Sequence, residues 1–219
     1  MNKTDVLQRI YNTGLIPVVR AETAELAIKA VAAIKAGGVD VLEVTMTVPG
    51  AIGVIEQLTS MFGEDALIGA GTVLDPETAY RCIKAGAQFI VSPALNEDTI
   101  VFCRAHDIAV FPGALTPTEV VTAWKAGADA VKVFPASAVG GAKYLKSLKA
   151  PLPQIELIPT GGVSLQTAAD FIKAGAFALG VGADLVDIAA VRSGNAEKVT
   201  QAARAYVAAV KDARISPSS

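Results

Sequence analysis

Ile34-Lys35-Ala36-Gly37-Gly38, Ile83-Lys84-Ala85-Gly86-Ala87, Trp124-Lys125-Ala126-Gly127-Ala128 and Ile172-Lys173-Ala174-Gly175-Ala176 are copies of one pattern, spaced roughly 40 to 50 residues apart. Each copy reads as the end of a helix. A lysine in the last turn complements the helix dipole, a glycine supplies the left-handed residue that stops the helix, and an apolar run follows as the next strand. These lysines are expected at solvated helix ends. The runs that follow, Val39 to Val44, Gln88 to Val91, Ala130 to Phe134 and Phe177 to Val181, are apolar on both alternating faces, as buried parallel strands are. Between them Ile16 to Val19, Leu67 to Ala70, Ile108 to Phe111 and Ile155 to Ile158 have the same character. Each run leads into a turn and a helical stretch.

Eight βα units in this length predict an α/β fold of the (β/α)8 TIM barrel type. A doubly wound open sheet is the alternative. The quarter-like repeat and the lack of a G-x-G-x-x-G after the first strand favour the barrel. A leading helix at about 4–12, with Val6, Leu7 and Ile10 at helical spacing, is expected to cap the bottom. A last helix is expected from about Ala196 to Val210 to pack on the wall, followed by a flexible tail at about 214–219.

The 219 residues, 52% hydrophobic and 18% charged, describe a soluble chain with a large core. No Pro/Gly/Ser-rich linker divides them, so 1–219 is read as a single domain. A net charge of -2 with no basic cluster excludes a nucleic-acid footprint and points to small-molecule partners. No apolar stretch reaches membrane-spanning length, and Met1-Asn2-Lys3-Thr4-Asp5 lacks the basic and apolar runs of a signal peptide, so the expected location is the cytoplasm. His106 is the sole histidine, and Cys82 and Cys103 fall in apolar helical contexts suited to buried thiols. That set is too small for a zinc site of the kind a metal-dependent aldolase or hydrolase uses, so no metal is expected.

Barrel chemistry sits at the carboxyl ends of the strands. In strand order those ends carry Arg20, then Glu43 and Thr45, Gly69-Ala70-Gly71-Thr72, Ser92-Pro93, Phe111-Pro112-Gly113, Lys132 with Phe134-Pro135, Pro159-Thr160-Gly161-Gly162, and Gly180-Val181-Gly182. Only Arg20, Glu43 and Lys132 among them are ionisable. A lysine inside Ala130-Val131-Lys132-Val133-Phe134-Pro135 is a misfit that is either an edge-strand charge snorkelling to water or a nucleophile. Desolvation frees the neutral amine, the form that attacks carbonyls. An imine-forming lysine needs a carboxyl to shuttle protons, and Glu43 is the one available; a buried ion pair is the competing reading. Arg20 can fork onto a substrate carboxylate or phosphate, or cap carbonyls at the rim. Thr72, after two glycines, offers a hydroxyl or sits in a tight turn. The paired glycines after strands seven and eight either bind phosphate through backbone N–H groups or relieve crowding between strand and helix.

With Leu42-Glu43-Val44-Thr45, Gly69-Ala70-Gly71-Thr72-Val73, Val91-Ser92-Pro93, Val131-Lys132-Val133-Phe134-Pro135-Ala136 and Pro159-Thr160-Gly161-Gly162, the chain resembles the 2-keto-3-deoxy-6-phosphogluconate aldolase family over nearly its whole length. The resemblance implies a (β/α)8 class I aldolase, a homotrimer that uses no metal and no cofactor. Its implied reaction cleaves the keto-deoxy phosphosugar acid to pyruvate and glyceraldehyde 3-phosphate, in the Entner–Doudoroff route. Relatives also cleave 4-hydroxy-2-oxoglutarate or the galactonate epimer.

Carried over by position, Lys132 is the Schiff-base lysine and Glu43 the general acid/base. Arg20 and Thr72 are the implied pyruvyl carboxylate contacts, Pro93 and Phe134 the wall around the imine, and Gly161, Gly162 and Gly182, beside Thr160, the phosphate contacts. The chain departs from the family twice. Thr47 stands where many members have an arginine, which shifts carboxylate recognition toward Arg20. Ala183 stands where many have a serine whose hydroxyl reaches the phosphate, a loss of about 1.5–3 kcal/mol if nothing replaces it. An unphosphorylated 2-keto-3-deoxy acid is therefore an alternative substrate. Two further readings are a phosphate-binding barrel that works without an imine and a catalytically inactive barrel that binds a keto acid.

Overall fold

Helix stops and strand starts recur along residues 1–215, which the computed structural model describes. The strands are β1 (Leu15–Val19), β2 (Val41–Thr45), β3 (Leu67–Gly71), β4 (Phe89–Val91), β5 (Ala109–Phe111), β6 (Gly113–Ala114), β7 (Val131–Val133), β8 (Leu157–Pro159) and β9 (Leu179–Val181). Helix α1 (Lys3–Thr13) precedes them, and α2 (Ala24–Ala36), α3 (Ala51–Phe62), α4 (Pro76–Lys84), α5 (Glu97–Ala105), α6 (Pro117–Ala126), α7 (Ala142–Lys149) and α8 (Ala168–Lys173) lie between them. The last described elements are α9 (Ile188–Arg192) and α10 (Glu197–Ile215).

The repeated glycines act as their chemistry requires. Gly86, Gly127 and Gly175 adopt φ of 100, 105 and 94°, where a Cβ is penalised. In the first copy Gly38 takes that role at φ 91°, and Gly37 instead lets α10 approach, since a Cβ there would lie 2.5 Å from that of Ala203. Lys84, Lys125 and Lys173 are exposed, and Lys35 is half-buried over the Phe62 ring. Polar side chains start several helices: Thr23, Asp75, Asn96 and Thr116 each accept a first-turn N–H, and Thr116 with Glu119 forms a full capping box.

All strand pairs are parallel, in two sheets ordered β5-β4-β3-β2-β1-β9 and β6-β7-β8, and the larger forms a half-barrel. The sheets are continuous in the chain at Pro112, which separates β5 from β6 because proline has no N–H for the ladder. Its carbonyl still accepts from the Lys132 backbone N–H at 2.9 Å. At the other seam Phe177 N–H donates to the Leu157 carbonyl at 2.9 Å, and Thr160 bridges Gly180.

Strand alternation sorts the side chains into two layers. Leu42, Val44, Ile68, Ile90, Val110, Val131 and Leu157 face the helices. Ile16, Val41, Leu67, Phe89, Phe111, Ala130, Ile158 and Ala178 face inward and are covered by Val6 and Ile10 of α1, the expected capping helix. Two residues beyond Val41 and Ala130 on that inward face come Glu43 and Lys132.

Helix α10 runs past Val210, where the sequence periodicity was expected to stop it, and past the expected start of the tail. Arg214 holds it by donating to the carbonyls of Asn12 and Phe177 and lying over the Tyr11 ring. The rest of the expected tail, 216–219, lies outside the described residues. Among the described residues no helix is long and apolar enough to cross a membrane, and no group of three His, Cys, Asp or Glu side chains is arranged to hold a metal.

Candidate active site

Lys132 and Glu43 are buried, at 3% and 2% exposure, with Lys132 Nζ 3.9 Å from Glu43 Oε1. The snorkel reading of Lys132 is thereby removed: β7 is flanked by β6 and β8, and its lysine points inward. Glu43 lies on β2, in register with Val18 on one side and Gly69 on the other. Glycine on the neighbouring strand makes its position possible. A Cβ at Gly71 would fall 1.9 Å from Glu43 Oε1, and one at Gly69 would fall 2.3 Å from the Phe89 ring.

The pair is a buried ion pair at the outer limit of that contact, as the competing reading expected, and the geometry leaves it room to meet a ligand. At 3.9 Å the ammonium is beyond hydrogen-bond distance, and Glu43 Oε1 is buried with no hydrogen-bond partner. A buried acceptor without a protein partner costs about 1–3 kcal/mol unless a ligand or water meets it. Such unpartnered groups are a mark of sites that act on a ligand. Lys132 Nζ also stands 5.5 Å from the centroid of the Phe134 ring, which borders the adjoining cleft.

That cleft, about 370 Å³, is lined by Arg20, Phe134, Thr160, Gly161, Gly162, Gly182 and Ala183, all singled out in the sequence, and also by Ser164 and Asp184. Gly161 and Gly162 have φ of 90 and 74°, so only glycine occupies these turns without strain. Their loop is tied to the turn after β7, with Ser137 N–H donating to the Gly161 carbonyl at 3.2 Å and Ala136 N–H to that of Thr160 at 2.9 Å. Gly180 makes room for the Thr160 side chain, whose Oγ1 would lie 2.1 Å from a Cβ there. Crowding therefore holds at Gly180 and also at Gly162, where a Cβ would lie 2.4 Å from that of Ser137, whereas a Cβ at Gly182 would meet nothing within 4 Å.

Thr47, Thr72 and Pro93 are not part of the cleft lining. Thr47 is exposed, its hydroxyl 2.6 Å from that of Thr45, which donates to the Val19 carbonyl next to Arg20. Thr72 has φ 58°, a rare conformation for a β-branched residue that costs about 1–3 kcal/mol and clusters at functional sites. Pro93 is half-buried, and Gly113 is needed beside it because a Cβ there would meet its carbonyl at 2.2 Å.

Three features were not visible in the sequence: the Gly71 contact, the backbone of Thr72, and a hydrogen bond from the Tyr206 hydroxyl of α10 to Asp184. Tyr206 did leave a trace. It falls on the inward stripe Val199, Ala203, Tyr206 and Val210, where a buried phenol needs a partner.

A family model described as "Aldolase: KDPG and KHG aldolase" matches residues 6–202. The chain belongs to this family of aldolases. It is 38% identical to the 2-dehydro-3-deoxy-6-phosphogalactonate aldolase of Escherichia coli (strain K12), over 91% of this chain and 95% of that one. It is 34% identical to that organism's KHG/KDPG aldolase, over 93% and 96%. Among solved structures, the KDPG aldolase of Legionella pneumophila, with pyruvate captured at low pH as a covalent carbinolamine intermediate, superposes with a TM-score of 0.84 at 31% identity, covering 91% of this chain and 96% of that one.

Proposed function

We propose that the protein is a class I aldolase that cleaves 2-keto-3-deoxy-6-phosphogluconate to pyruvate and glyceraldehyde 3-phosphate, and 4-hydroxy-2-oxoglutarate to pyruvate and glyoxylate. The galactonate epimer is the alternative substrate, supported by the name of the 38% identical relative. The observation that carries the reading is Lys132 Nζ, buried 3.9 Å from a Glu43 oxygen that has no hydrogen-bond partner. The carbinolamine of the Legionella relative supports an amine nucleophile.

Lys132 attacks the C2 ketone, and Glu43 donates a proton to the departing hydroxyl as the carbinolamine becomes an iminium. Glu43 then takes the C4 hydroxyl proton. The C3–C4 bond breaks, its electrons neutralise the iminium, and the aldehyde leaves. The enamine is protonated at C3 and hydrolysed, which releases pyruvate and the free amine. The buried setting keeps bulk water from competing for these protons. Arg20 meets an anionic group of the substrate, Thr72 the pyruvyl carboxylate, Pro93 and Phe134 wall the imine, and the N–H groups of Gly161, Gly162 and Gly182 meet the tail.

We further infer that the two sheets close as one (β/α)8 barrel, a single domain over 1–219. The direct passage from β5 to β6 and the bonds between β8 and β9 support this. A homotrimer in the cytoplasm completes the reading. A 38% identical relative is a component of a protein cage designed by fusing symmetric oligomeric domains, which supports an oligomer. The test is trapping: incubation with pyruvate, borohydride reduction and digestion should give an adduct on Lys132. Turnover without that adduct would overturn the assignment.

A further inference from the structure

The cleft carries a carboxylate as well as Arg20 and the two glycine loops. Asp184 lines it together with Arg20, Gly161, Gly162, Ser164 and Ala183. Its Oδ1 accepts the hydroxyl proton of Tyr206, which is 0% exposed at the inner face of α10. Burial first, and then Asp184, push the Tyr206 pKa up, so the phenol remains a donor and the aspartate its acceptor. The hydrogen bond limits the rotamers open to Asp184, which stays exposed at the cleft and keeps its charge at this loop. Ala183 beside it brings no hydroxyl.

We infer that Asp184, positioned by Tyr206, is a specificity-determining residue that weakens the cleft's hold on a phosphate and lets it take a neutral polyol tail on comparable terms. This rests on the aldolase reading. A phosphate held by the Gly161, Gly162 and Gly182 N–H groups brings its negative charge toward the Asp184 carboxylate, a like-charge contact. A hydroxyl-terminated tail pays no such penalty, and its O–H can donate to the carboxylate. The phosphorylated compound is still cleaved, but with little advantage over its unphosphorylated counterpart.

Asp184→Asn is the direct test, because the amide oxygen still accepts from Tyr206 while the charge is gone. Both proteins are assayed with 2-keto-3-deoxy-6-phosphogluconate and 2-keto-3-deoxygluconate. The ratio of kcat/KM, phosphorylated over unphosphorylated, should rise about fivefold in D184N, through a lower KM for the phosphorylated compound. A ratio that stays the same or falls overturns the inference. The pyruvate adduct on wild-type Lys132 tests the aldolase reading separately. Should neither compound be cleaved, titration with inorganic phosphate decides. About fivefold tighter binding to D184N upholds the role of Asp184, and equal binding overturns it.

Discussion

Gly71→Ala places a methyl group where the Glu43 carboxylate now lies. The added Cβ would sit 1.9 Å from Glu43 Oε1, 2.5 Å from its Cδ and 2.6 Å from its Cγ, all below any tolerated contact. Glu43 is 2% exposed on a strand hydrogen-bonded on both sides, so its backbone does not yield and the side chain must turn away. Overpacking of this kind costs about 1–3 kcal/mol. Displacing the carboxyl also removes its proton transfers, which are worth about 10²–10⁴ in rate. We predict that G71A unfolds in urea with stability lowered by about 1–3 kcal/mol. Its kcat for keto-acid cleavage should fall at least about 100-fold. Gly182→Ala is the control for the methyl itself, since a Cβ there meets nothing within 4 Å and its stability should stay within about 0.5 kcal/mol of wild type. Wild-type turnover in G71A would refute the placement of Glu43. A loss of stability with kcat intact would show that the carboxyl takes no part in the chemistry.

Glu43→Gln should slow turnover by about 10²–10⁴ while still allowing pyruvate to be trapped on Lys132, only more slowly; mass spectrometry of the reduced adduct against time reads this out. Cys82 and Cys103 are pushed up to about 11 and about 12, chiefly by burial, so both should resist alkylation at pH 8 in the folded protein and react once it is unfolded. Their folded values lie above the unfolded value of 9.0, so the stability they confer is complete below that pH and is lost as pH rises toward 11 and 12, a decline that denaturation at stepped alkaline pH should show. Thr116→Ala removes the cap of α6, whose hydroxyl accepts from Glu119 N–H at 3.3 Å, and should lower stability by about 1 kcal/mol with kcat unchanged.

Much of this could be read from the chain because local chemistry and tertiary position agree. The lysine–glycine pattern stops helices at Gly38, Gly86, Gly127 and Gly175 whatever surrounds them, and period-two alternation alone puts Glu43 and Lys132 on the same face as Val41 and Ala130. Arg20, Phe134 and the glycines around 161 and 182 share a cleft because parallel strands bring all their carboxyl ends to one side. What escaped the sequence depends on distances between remote segments. Gly71 looks like a turn residue until the Glu43 side chain is seen over it, and Asp184 looks like an unpartnered charge until Tyr206 reaches it from α10. The length of α10 escaped because a contact of Arg214 with α1, rather than periodicity, sets it.

Glu43 and Lys132 are carried on strands, within ladders that hold them rigidly, whereas most residues lining the cleft sit on the loops around 161–164 and 182–184. On the proposed roles, bond breaking and tail recognition are mounted on parts that can change independently. A loop can be exchanged, or lengthened, without moving the amine or the carboxyl. A lineage built this way can explore new aldehydes at little risk to the pyruvate chemistry, and a designer can do the same by redrawing the two loops and leaving β2 and β7 alone.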